Sequence, residues 1–285
     1  MKRAELIELG DLFFDSLRRH DASVLPWAPG AGFSENGVVL TPGATLWLTT
    51  DEAPVYRRDV CSSGGDGLAI QSVVIENGRP VLVNARFRVD RSGQLDELEL
   101  IVVRDNTGPF GPERLVGATA LDVPPVAEPI SDAELCEIAN GYFNAIEADD
   151  GDLVRFTADM TRLENGVGTV NQDSFDGQFY DSETASYSAS QQLDNGMFGY
   201  ITRVRGRRFH TVDVDRGLVG ATVFFDHRGD VLSALGKDGQ TRDTPENRRM
   251  PNSVLLGFVF TIRDRAIAHV EGVYTYVPFG MHGCW

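Results

Sequence analysis

The sequence predicts an α+β protein built from two similar halves, each with an N-terminal helix followed by a mostly antiparallel sheet. The tripeptide Glu-Asn-Gly occurs at residues 35–37 and again 129 residues later, at residues 164–166. Apolar residues recur at helical spacing before each copy, and β-branched and aromatic runs joined by short turns follow it. One order of elements that occurs twice in 285 residues indicates a duplicated domain.

The repeat extends beyond the tripeptide in both directions. Residues 12–17 align with residues 141–146 at the same offset. Near the end of each half, residues 87–89 align with residues 260–262. The alignment therefore spans the helix, the turn and the sheet of each half.

The domain boundaries follow from this repeat and from the prolines between the halves. We expect a first domain over residues 1–106 and a second, with polar loop insertions, over residues 131–285. Residues 107–130 are the expected linker, because the stretch from 105 to 130 carries five prolines and proline fixes the backbone φ angle.

Each predicted helix has one apolar face. The first covers residues 4–20, with Leu6, Leu9, Phe13 and Leu17 at three- and four-residue spacing. The second begins at a Ser-x-x-Glu capping box, Ser131 to Glu134. Its expected buried face consists of Leu135, Ile138, Tyr142, Phe143 and Ile146.

Ten runs rich in β-branched and aromatic residues predict strands. In the first half they are Thr45–Thr50, Val55–Cys61, Leu68–Ile75, Pro80–Val89 and Leu95–Val103. In the second half they are Tyr200–Arg205, Phe209–Val214, Leu218–Phe225, Val254–Ile262 and Ile267–Tyr276. The short links between most of them predict hairpins, hence antiparallel pairing. Two polar stretches, residues 171–198 and 228–252, are predicted to be loops that could fold over a site.

Composition excludes several classes of function. A net charge of −16 disfavours partners such as nucleic acids and anionic membranes, which are bound by neutralising phosphate with Lys and Arg. The three cysteines, Cys61, Cys136 and Cys284, are far apart, odd in number and without Cys-x-x-Cys spacing, which disfavours a zinc site or a disulfide framework, and no His pair has metal-ligand spacing. No Gly-rich phosphate loop and no Gly-x-Ser-x-Gly elbow is present. With no signal peptide or membrane-spanning run, we expect a cytoplasmic protein.

The chain resembles the nuclear transport factor 2-like superfamily, which includes ketosteroid isomerase and the SnoaL-like polyketide cyclases. More specifically, it resembles a mostly uncharacterised bacterial and fungal family of tandem two-cone proteins. The resemblance lies in the two Glu-Asn-Gly motifs, in residues 207–209 with Val212-Asp213, in residues 217–219 leading to 224–227, and in residues 277–281 with Trp285. It implies two tandem cone-shaped domains, each a curved, mostly antiparallel sheet wrapped around N-terminal helices.

The resemblance also implies a chemistry. Enzymes of this superfamily mostly use no metal or cofactor, and they place a carboxylate or His with polar donors inside an apolar cone. They isomerise, dehydrate, cyclise or cleave small molecules. Some relatives are linked to meroterpenoid isomerisation, and others eliminate formaldehyde from lignin-derived dimers. The superfamily also has non-catalytic binding members, and it often pairs through open sheet faces, so a homodimer is a further expectation.

Two carboxylates in the repeated motif are the first site candidates. Glu35 and Glu164 stand where the general-base aspartate of ketosteroid isomerase-like chains is found, in a short turn after the first helices. A carboxylate in an apolar cone can exchange protons near neutral pH. The structural alternative is that each Glu orders its own turn.

The remaining candidates lie mainly on strands of the second half. Asp226 and His227 end an apolar strand and suit acid/base work, although neighbouring strand residues point to opposite faces. Arg208 and His210 share a face, and an inward arginine could stabilise an oxyanion, whereas pairing with an aspartate is the structural alternative. The expected substrate-binding set is Tyr200, Tyr274, Tyr276, Glu35 and Trp47, for which core packing is the structural alternative.

Together with these candidates, the resemblance implies a lyase or isomerase that needs no cofactor or metal and acts on a hydrophobic aromatic small molecule. The second cone is the expected active site, with Glu164 or His227 removing a proton and Arg208 or a tyrosine stabilising the oxyanion. Formaldehyde elimination from a lignin-derived aromatic dimer is the most specific reaction that the resemblance suggests. The alternative is a non-catalytic small-molecule binding or assembly module.

Overall fold

The structure, a computed structural model, describes residues 1–105, 108–172 and 182–285. Two six-stranded sheets dominate it. The elements of the first half, which we term the first cone, are α1 (Arg3–Arg18), β1 (Trp27–Glu35), β2 (Val38–Val39), α2 (Leu46–Thr49), β3 (Thr50–Cys61), β4 (Gly67–Glu76), β5 (Arg79–Val89) and β6 (Leu95–Val103). No helix of the described residues is both long enough and apolar enough to cross a bilayer.

The second half, the second cone, repeats this order with insertions. Its helices are α3 (Asp132–Ala148), α4 (Ser182–Ser186) and α5 (Ala189–Asp194). Its strands are β7 (Phe156–Glu164), β8 (Val167–Gly168), β9 (Arg203–Asp213), β10 (Leu218–His227), β11 (Ser233–Leu235), β12 (Thr241–Asp243), β13 (Asn252–Arg263) and β14 (Ala266–Val277). The β11–β12 hairpin stands apart as a two-stranded sheet.

Both large sheets have the same topology. The strand order is β2-β1-β6-β5-β4-β3 in the first cone and β8-β7-β14-β13-β10-β9 in the second. Pairing is antiparallel except between β1 and β6 and between β7 and β14, which run parallel. The predicted fold class, an α+β protein of two cones with mostly antiparallel sheets, is therefore confirmed.

One predicted strand is wrong, and several elements were missed. Residues 45–50 contain a helical turn, α2, in which the adjacent Leu46 and Trp47 are both buried, a pattern that strand alternation does not produce. The predicted strands 200–205 and 209–214 form one strand, β9, which begins only at Arg203. The polar stretch 228–252 holds the β11–β12 hairpin, and part of the stretch 171–198 lies outside the described residues.

Strands β1 and β7 were also missed. Turn residues obscure the pattern of β1, whereas β7 contains no glycine or proline but interrupts its apolar residues with Asp159, Arg162 and Glu164. β1 contains Pro29, Gly30 and Gly32, and its pairing with β6 shifts register across this segment. Glycine and proline usually mark turns, so this sequence favoured a loop. The irregularity lets β1 bend around the helix while its last residues, which lead into Glu35, remain in the sheet.

The asparagines of the two Glu-Asn-Gly turns at residues 35–37 and 164–166 are backbone clamps. The side chain of Asn165 donates to the carbonyl of Tyr274 at 3.1 Å and accepts from its N–H at 2.9 Å. Asn36 makes the same pair of bonds to Val102, at 2.9 and 2.8 Å. Asn165 adopts a left-handed φ of 46°, which Asn tolerates better than most residues. The repeated motif thus joins the end of β1 to β6 in the first cone and the end of β7 to β14 in the second.

The outer faces of the two sheets pack against each other with approximate two-fold symmetry. Arg58 on β3 donates to Glu271 on β14 at 2.9 Å, and Arg208 on β9 donates to Glu99 on β6 at 2.7 Å. Because β3 corresponds to β9 and β6 to β14, the two ion pairs exchange under the pseudo-symmetry. Apolar residues of both cones, among them Val73, Leu82, Phe224, Leu255 and Val273, fill the same interface. The cones thus form an internal pseudo-dimer.

We predict that Asn165→Ala lowers the free energy of unfolding by about 2 to 4 kcal/mol, because it leaves a buried N–H and a buried C=O of Tyr274 without partners. Asn77→Ala is the matched control, since Asn77 has the same left-handed conformation in an Asn-Gly turn but an exposed side chain. Urea unfolding of both variants measures the difference. If both variants lose the same free energy of unfolding, the left-handed backbone conformation and not the side-chain clamp accounts for the stabilisation.

The interface generates a second prediction. Arg58→Ala should cost about 3 to 5 kcal/mol of stability, because it leaves the buried Glu271 carboxylate without its guanidinium. Arg88→Ala, which removes a half-exposed arginine paired with Asp96, should cost less than about 1 kcal/mol. Thermal denaturation compares the two, and a small loss for Arg58→Ala would show that the interface does not depend on its ion pairs.

Candidate active site

The second cone encloses a cavity of about 60 Å³ between α3 and the inner face of its sheet, which we term the inner cavity. Most of its wall is apolar, with Ile146, Phe198, Ile201, Phe225, Val254, Leu256 and Phe258. The polar side chains that line it are those of Arg162, Glu164, His227, Arg248, Tyr142, Tyr200, Tyr274 and Tyr276. An apolar pocket with a few convergent polar groups is the usual form of a small-molecule site.

Five of the side chains predicted from the sequence meet in this cavity. They are Glu164, His227, Tyr200, Tyr274 and Tyr276. They come from the end of β7, the end of β10, the turn before β9, and β14, so the fold joins residues up to 112 positions apart in the chain. The clamp formed by Asn165 holds the backbone of Tyr274 beside Glu164, which couples two of these positions directly.

Three other candidates lie away from the inner cavity. Asp226 is on the opposite face of β10 from His227, where it accepts from Arg205 at 2.7 Å and from Ser253 at 2.6 Å. Arg208 and His210 lie on the outer face of β9, so their expected role inside the cone is corrected. That face is covered by the first cone, and strand periodicity alone cannot tell an outer face buried by a second domain from an inner one.

The last two candidates belong to the first cone, in which Phe33 and Trp47 are part of the buried core. The Trp47 side chain is 0% exposed, donates to the Ser16 hydroxyl at 2.9 Å and packs edge-on against Phe13 and Phe33. Its expected role in binding substrate is corrected, because it is a core residue. Glu35 accepts from Arg104 at 2.8 Å.

Arg162 is the most informative residue that the sequence interpretation missed. It stands two positions before Glu164, where the first cone has Phe33 two positions before Glu35. Its side chain is only 1% exposed, and it donates to Thr169 at 2.8 Å and to the amide oxygen of Gln192. The repeat could have revealed this arginine. At the same inward position of the strand the first cone has a phenylalanine and the second cone has an arginine, which indicates that the two interiors differ.

Glu164 is held by this arginine at the edge of the inner cavity. Its Oε1 lies 2.8 Å from Arg162 Nε and accepts from the Thr169 hydroxyl at 3.2 Å. The side chain is 15% exposed, so the carboxylate is partly shielded and still accessible from the cavity. The geometry fixes a carboxylate against an apolar wall, as a general base requires.

His227 is a neutral imidazole in this site. It is 2% exposed, and burial, together with the nearby positive charge of Arg248, lowers its pKa to about 4. Its Nδ1 has no hydrogen-bond partner among the described residues. The ring packs edge-on against Tyr200, with 5.0 Å between ring centroids. A neutral imidazole with a free nitrogen can donate to, or accept from, a bound molecule.

Arg248 closes the outer side of the cavity. It is buried, it donates to the hydroxyl of Tyr276, and its guanidinium lies 5.2 Å from the centre of the Tyr200 ring. It comes from the polar stretch 228–252, where no periodicity signalled an inward side chain. Burial raises the pKa of Tyr142 and of Tyr200, so these phenols stay protonated at neutral pH and can act as hydrogen-bond donors.

The arrangement combines a fixed carboxylate, a neutral imidazole and phenol donors on an apolar wall, with two guanidinium groups nearby. Such a set can remove a proton from carbon and stabilise the oxyanion that forms. Among the described residues, no three His, Cys, Asp or Glu side chains converge as ligands for a metal ion.

A family profile described as "Domain of unknown function (DUF8021)" matches residues 1–102 and 129–274. The chain belongs to this family. The two matched segments correspond closely to the first cone and to most of the second, and every polar residue of the inner cavity except Tyr276 falls within the DUF8021 match. A search among curated proteins found no match.

Solved structures similar to this DUF8021 chain each cover about a third to a half of it. A steroid delta-isomerase from Pseudomonas aeruginosa is 18% identical, with a TM-score of 0.29 over 35% of this chain and 81% of its own. A nuclear transport factor 2-like protein of unknown function from Cytophaga hutchinsonii is 10% identical, with a TM-score of 0.29 over 34% and 89%. A de novo designed protein with a curved β-sheet is 16% identical, with a TM-score of 0.30 over 36% and 89%. Similarity at this level carries no argument about activity.

The lowered pKa of His227 predicts a pH-dependent stability. The unfolded imidazole binds a proton near pH 6.5 but the folded one only near pH 4, so the stabilisation is complete above pH 6.5 and decreases as the pH falls towards 4. Between pH 7.5 and pH 5, the wild type should lose about 1 to 3 kcal/mol more unfolding free energy than His227→Gln. Urea unfolding at both pH values measures this difference, and parallel losses would contradict a buried neutral His227.

Proposed function

We propose that the second cone is the active site of an isomerase or lyase that acts on a hydrophobic small molecule by acid/base chemistry without a cofactor. The observation that carries this proposal is the convergence of Glu164 and a neutral, partly unsatisfied His227 on one apolar cavity. A carboxylate and an uncharged imidazole in the same cavity supply a base and a hydrogen-bond donor, the two groups that enolisation requires.

In the proposed reaction, Glu164 removes a proton from a carbon next to a carbonyl group, and the C–H electron pair moves into the carbonyl to form an enolate. His227 and Tyr200 donate hydrogen bonds to the enolate oxygen. The imidazole acts here as a neutral donor, which its low pKa ensures at neutral pH. Arg162 keeps the carboxylate oriented towards the cavity.

The second half of the reaction depends on the substrate. Return of the proton from Glu164 to a different carbon gives an isomer with unchanged atoms. If the substrate instead carries a hydroxymethyl group, Glu164 removes the hydroxyl proton. The C–C bond then breaks to release formaldehyde, and the electron pair left on the substrate is protonated. Formaldehyde elimination is therefore one specific form of the proposal.

The first cone does not offer the same chemistry. Phe33 stands where the second cone has Arg162, and Trp47 fills the space beside it. A side chain that packs densely leaves no room for a ligand, and removing that packing would cost stability. We therefore assign the first cone a structural role.

The alternative is a binding module that holds its ligand unchanged. It uses the same inner cavity, whose volume of about 60 Å³ is small for a ligand as well as for a substrate. A larger molecule can enter only if side chains of the wall, such as Tyr200, rotate away. Retention of a ligand without conversion would support this alternative.

We predict that Glu164→Gln lowers turnover by about 100-fold or more, because the amide cannot accept the proton. His227→Gln should lower it by a smaller factor, on the order of 10- to 100-fold, by weakening donation to the oxyanion. Glu35→Gln is the matched control, since it makes the same change in the first copy of the motif and should leave turnover unaltered. All three variants should fold, which circular dichroism checks.

Mass spectrometry after incubation with hydroxymethyl-bearing aromatic dimers and polycyclic ketones provides the measurement. Loss of one CH₂O unit identifies a lyase, and unchanged mass with altered retention identifies an isomerase. Full activity of both Glu164→Gln and His227→Gln would refute the assignment. If a ligand is retained but no product forms, the second cone is a binding module and not an active site.

A further inference from the structure

A second, larger chamber adjoins the inner cavity. We term it the outer chamber, and it has a volume of about 440 Å³ and opens to solvent. It lies between α4, the turn before β9 and the β11–β12 hairpin with the residues that follow it. Tyr200 and Arg248 line both spaces, so they form a shared wall between the inner cavity and the outer chamber.

The two spaces have different chemistry. The inner cavity is mostly apolar, whereas Gln240, Asp243, Thr244 and Asn247 contribute amide, carboxylate and hydroxyl groups to the outer chamber. The side chains of Gln240, Asp243 and Asn247 make no hydrogen bond to other described residues, and all three are exposed. These groups therefore offer donors and acceptors to a molecule in the outer chamber at little cost to the fold.

The charges around the outer chamber are balanced. Among its described lining residues, two are acidic, Glu183 and Asp243, and two are basic, Arg242 and Arg248. Arg242 is held by Asp238 at 2.6 Å, and Glu183 accepts from the Tyr187 hydroxyl at 2.6 Å. With equal numbers of acidic and basic side chains, the outer chamber has no strong preference for an anion or a cation. Amide and carboxylate groups beside aromatic rings instead suit a neutral ligand group that is rich in hydroxyls.

We infer that the outer chamber binds a neutral, hydroxyl-rich group attached to the molecule whose reacting part occupies the inner cavity. This inference rests on the proposed function of the inner cavity. The substrate would then be amphipathic, with an apolar, enolisable part placed against Glu164 and a polyhydroxylated part placed against Asp243 and Asn247. A substrate that occupies both spaces would pass between Tyr200 and Arg248, and these two side chains would have to separate.

The test uses three fluorescent probes with one apolar ring system, namely 2-naphthol, 2-naphthyl β-glucoside and 2-naphthyl sulfate. We expect the wild type to bind the glucoside about tenfold more tightly than naphthol, since several hydrogen bonds are added. The sulfate should gain less than about threefold, because the chamber has no net charge to attract it. Fluorescence titration gives each dissociation constant.

Substitutions test whether the tighter binding of the glucoside depends on the outer chamber. The double variant Asp243→Asn with Asn247→Ala should remove most of the advantage of the glucoside and leave naphthol binding unchanged. Asp230→Asn is the control, because Asp230 is an exposed carboxylate on the same polar stretch but does not line the outer chamber. All of these positions are exposed, so the variants should fold like the wild type.

The inference is overturned if naphthol and its glucoside bind equally well, if the sulfate binds most tightly, or if no probe binds. It is also overturned if the advantage of the glucoside survives in the double variant. Because the readout is binding, absence of turnover in the mass-spectrometric assay would refute only the proposed catalysis. Turnover without a preference for the glucoside would refute only the role of the outer chamber.

Discussion

Each curved sheet has two faces, and the need to bury both is the constraint on which the rest of the structure depends. In each cone the N-terminal helix covers the inner face, and the sheet of the other cone covers the outer face. The outer faces carry apolar residues together with the ion pairs Arg58–Glu271 and Arg208–Glu99. Polar side chains on these outer faces therefore pair across the contact between the cones, whereas those on the inner face of the second cone line the inner cavity.

The duplication allowed the two interiors to differ while the frame stayed the same. Strand order and the asparagine clamp are shared between the cones, because these features build the sheet. The interior is not shared: Phe33 and Trp47 are buried in the core of the first cone, whereas the second has Arg162 beside the inner cavity. A filled cone supplies stability through packing, and it supplies the covering face that the other sheet needs.

The sequence predicted the architecture well, since hydrophobic periodicity and turn residues report directly on helices and hairpins. Five of the expected site residues, among them Glu164 and His227, line one cavity, although Tyr200 lies in a turn, where strand alternation gives no direction. The sequence interpretation misplaced Arg208 and His210, since alternation defines two faces without showing which one a second domain covers. Arg248 was missed because a loop residue is placed by the tertiary fold and not by a local pattern.

Arg162 gives a further reason to regard the second cone as functional. Burying a guanidinium and a carboxylate costs on the order of several kcal/mol per ion before their attraction is counted, and an apolar pair of similar volume is often at least as stable. The first cone demonstrates that this fold accepts an apolar residue at the arginine position, because Phe33 is buried there, while the Glu35 carboxylate is kept and pairs with Arg104 instead. The polar cluster of Arg162, Glu164, Thr169 and Gln192 is therefore not required by the architecture. A fixed carboxylate beside an apolar cavity is what general-base chemistry requires, so the proposed reaction would account for a buried ion pair that packing alone does not explain.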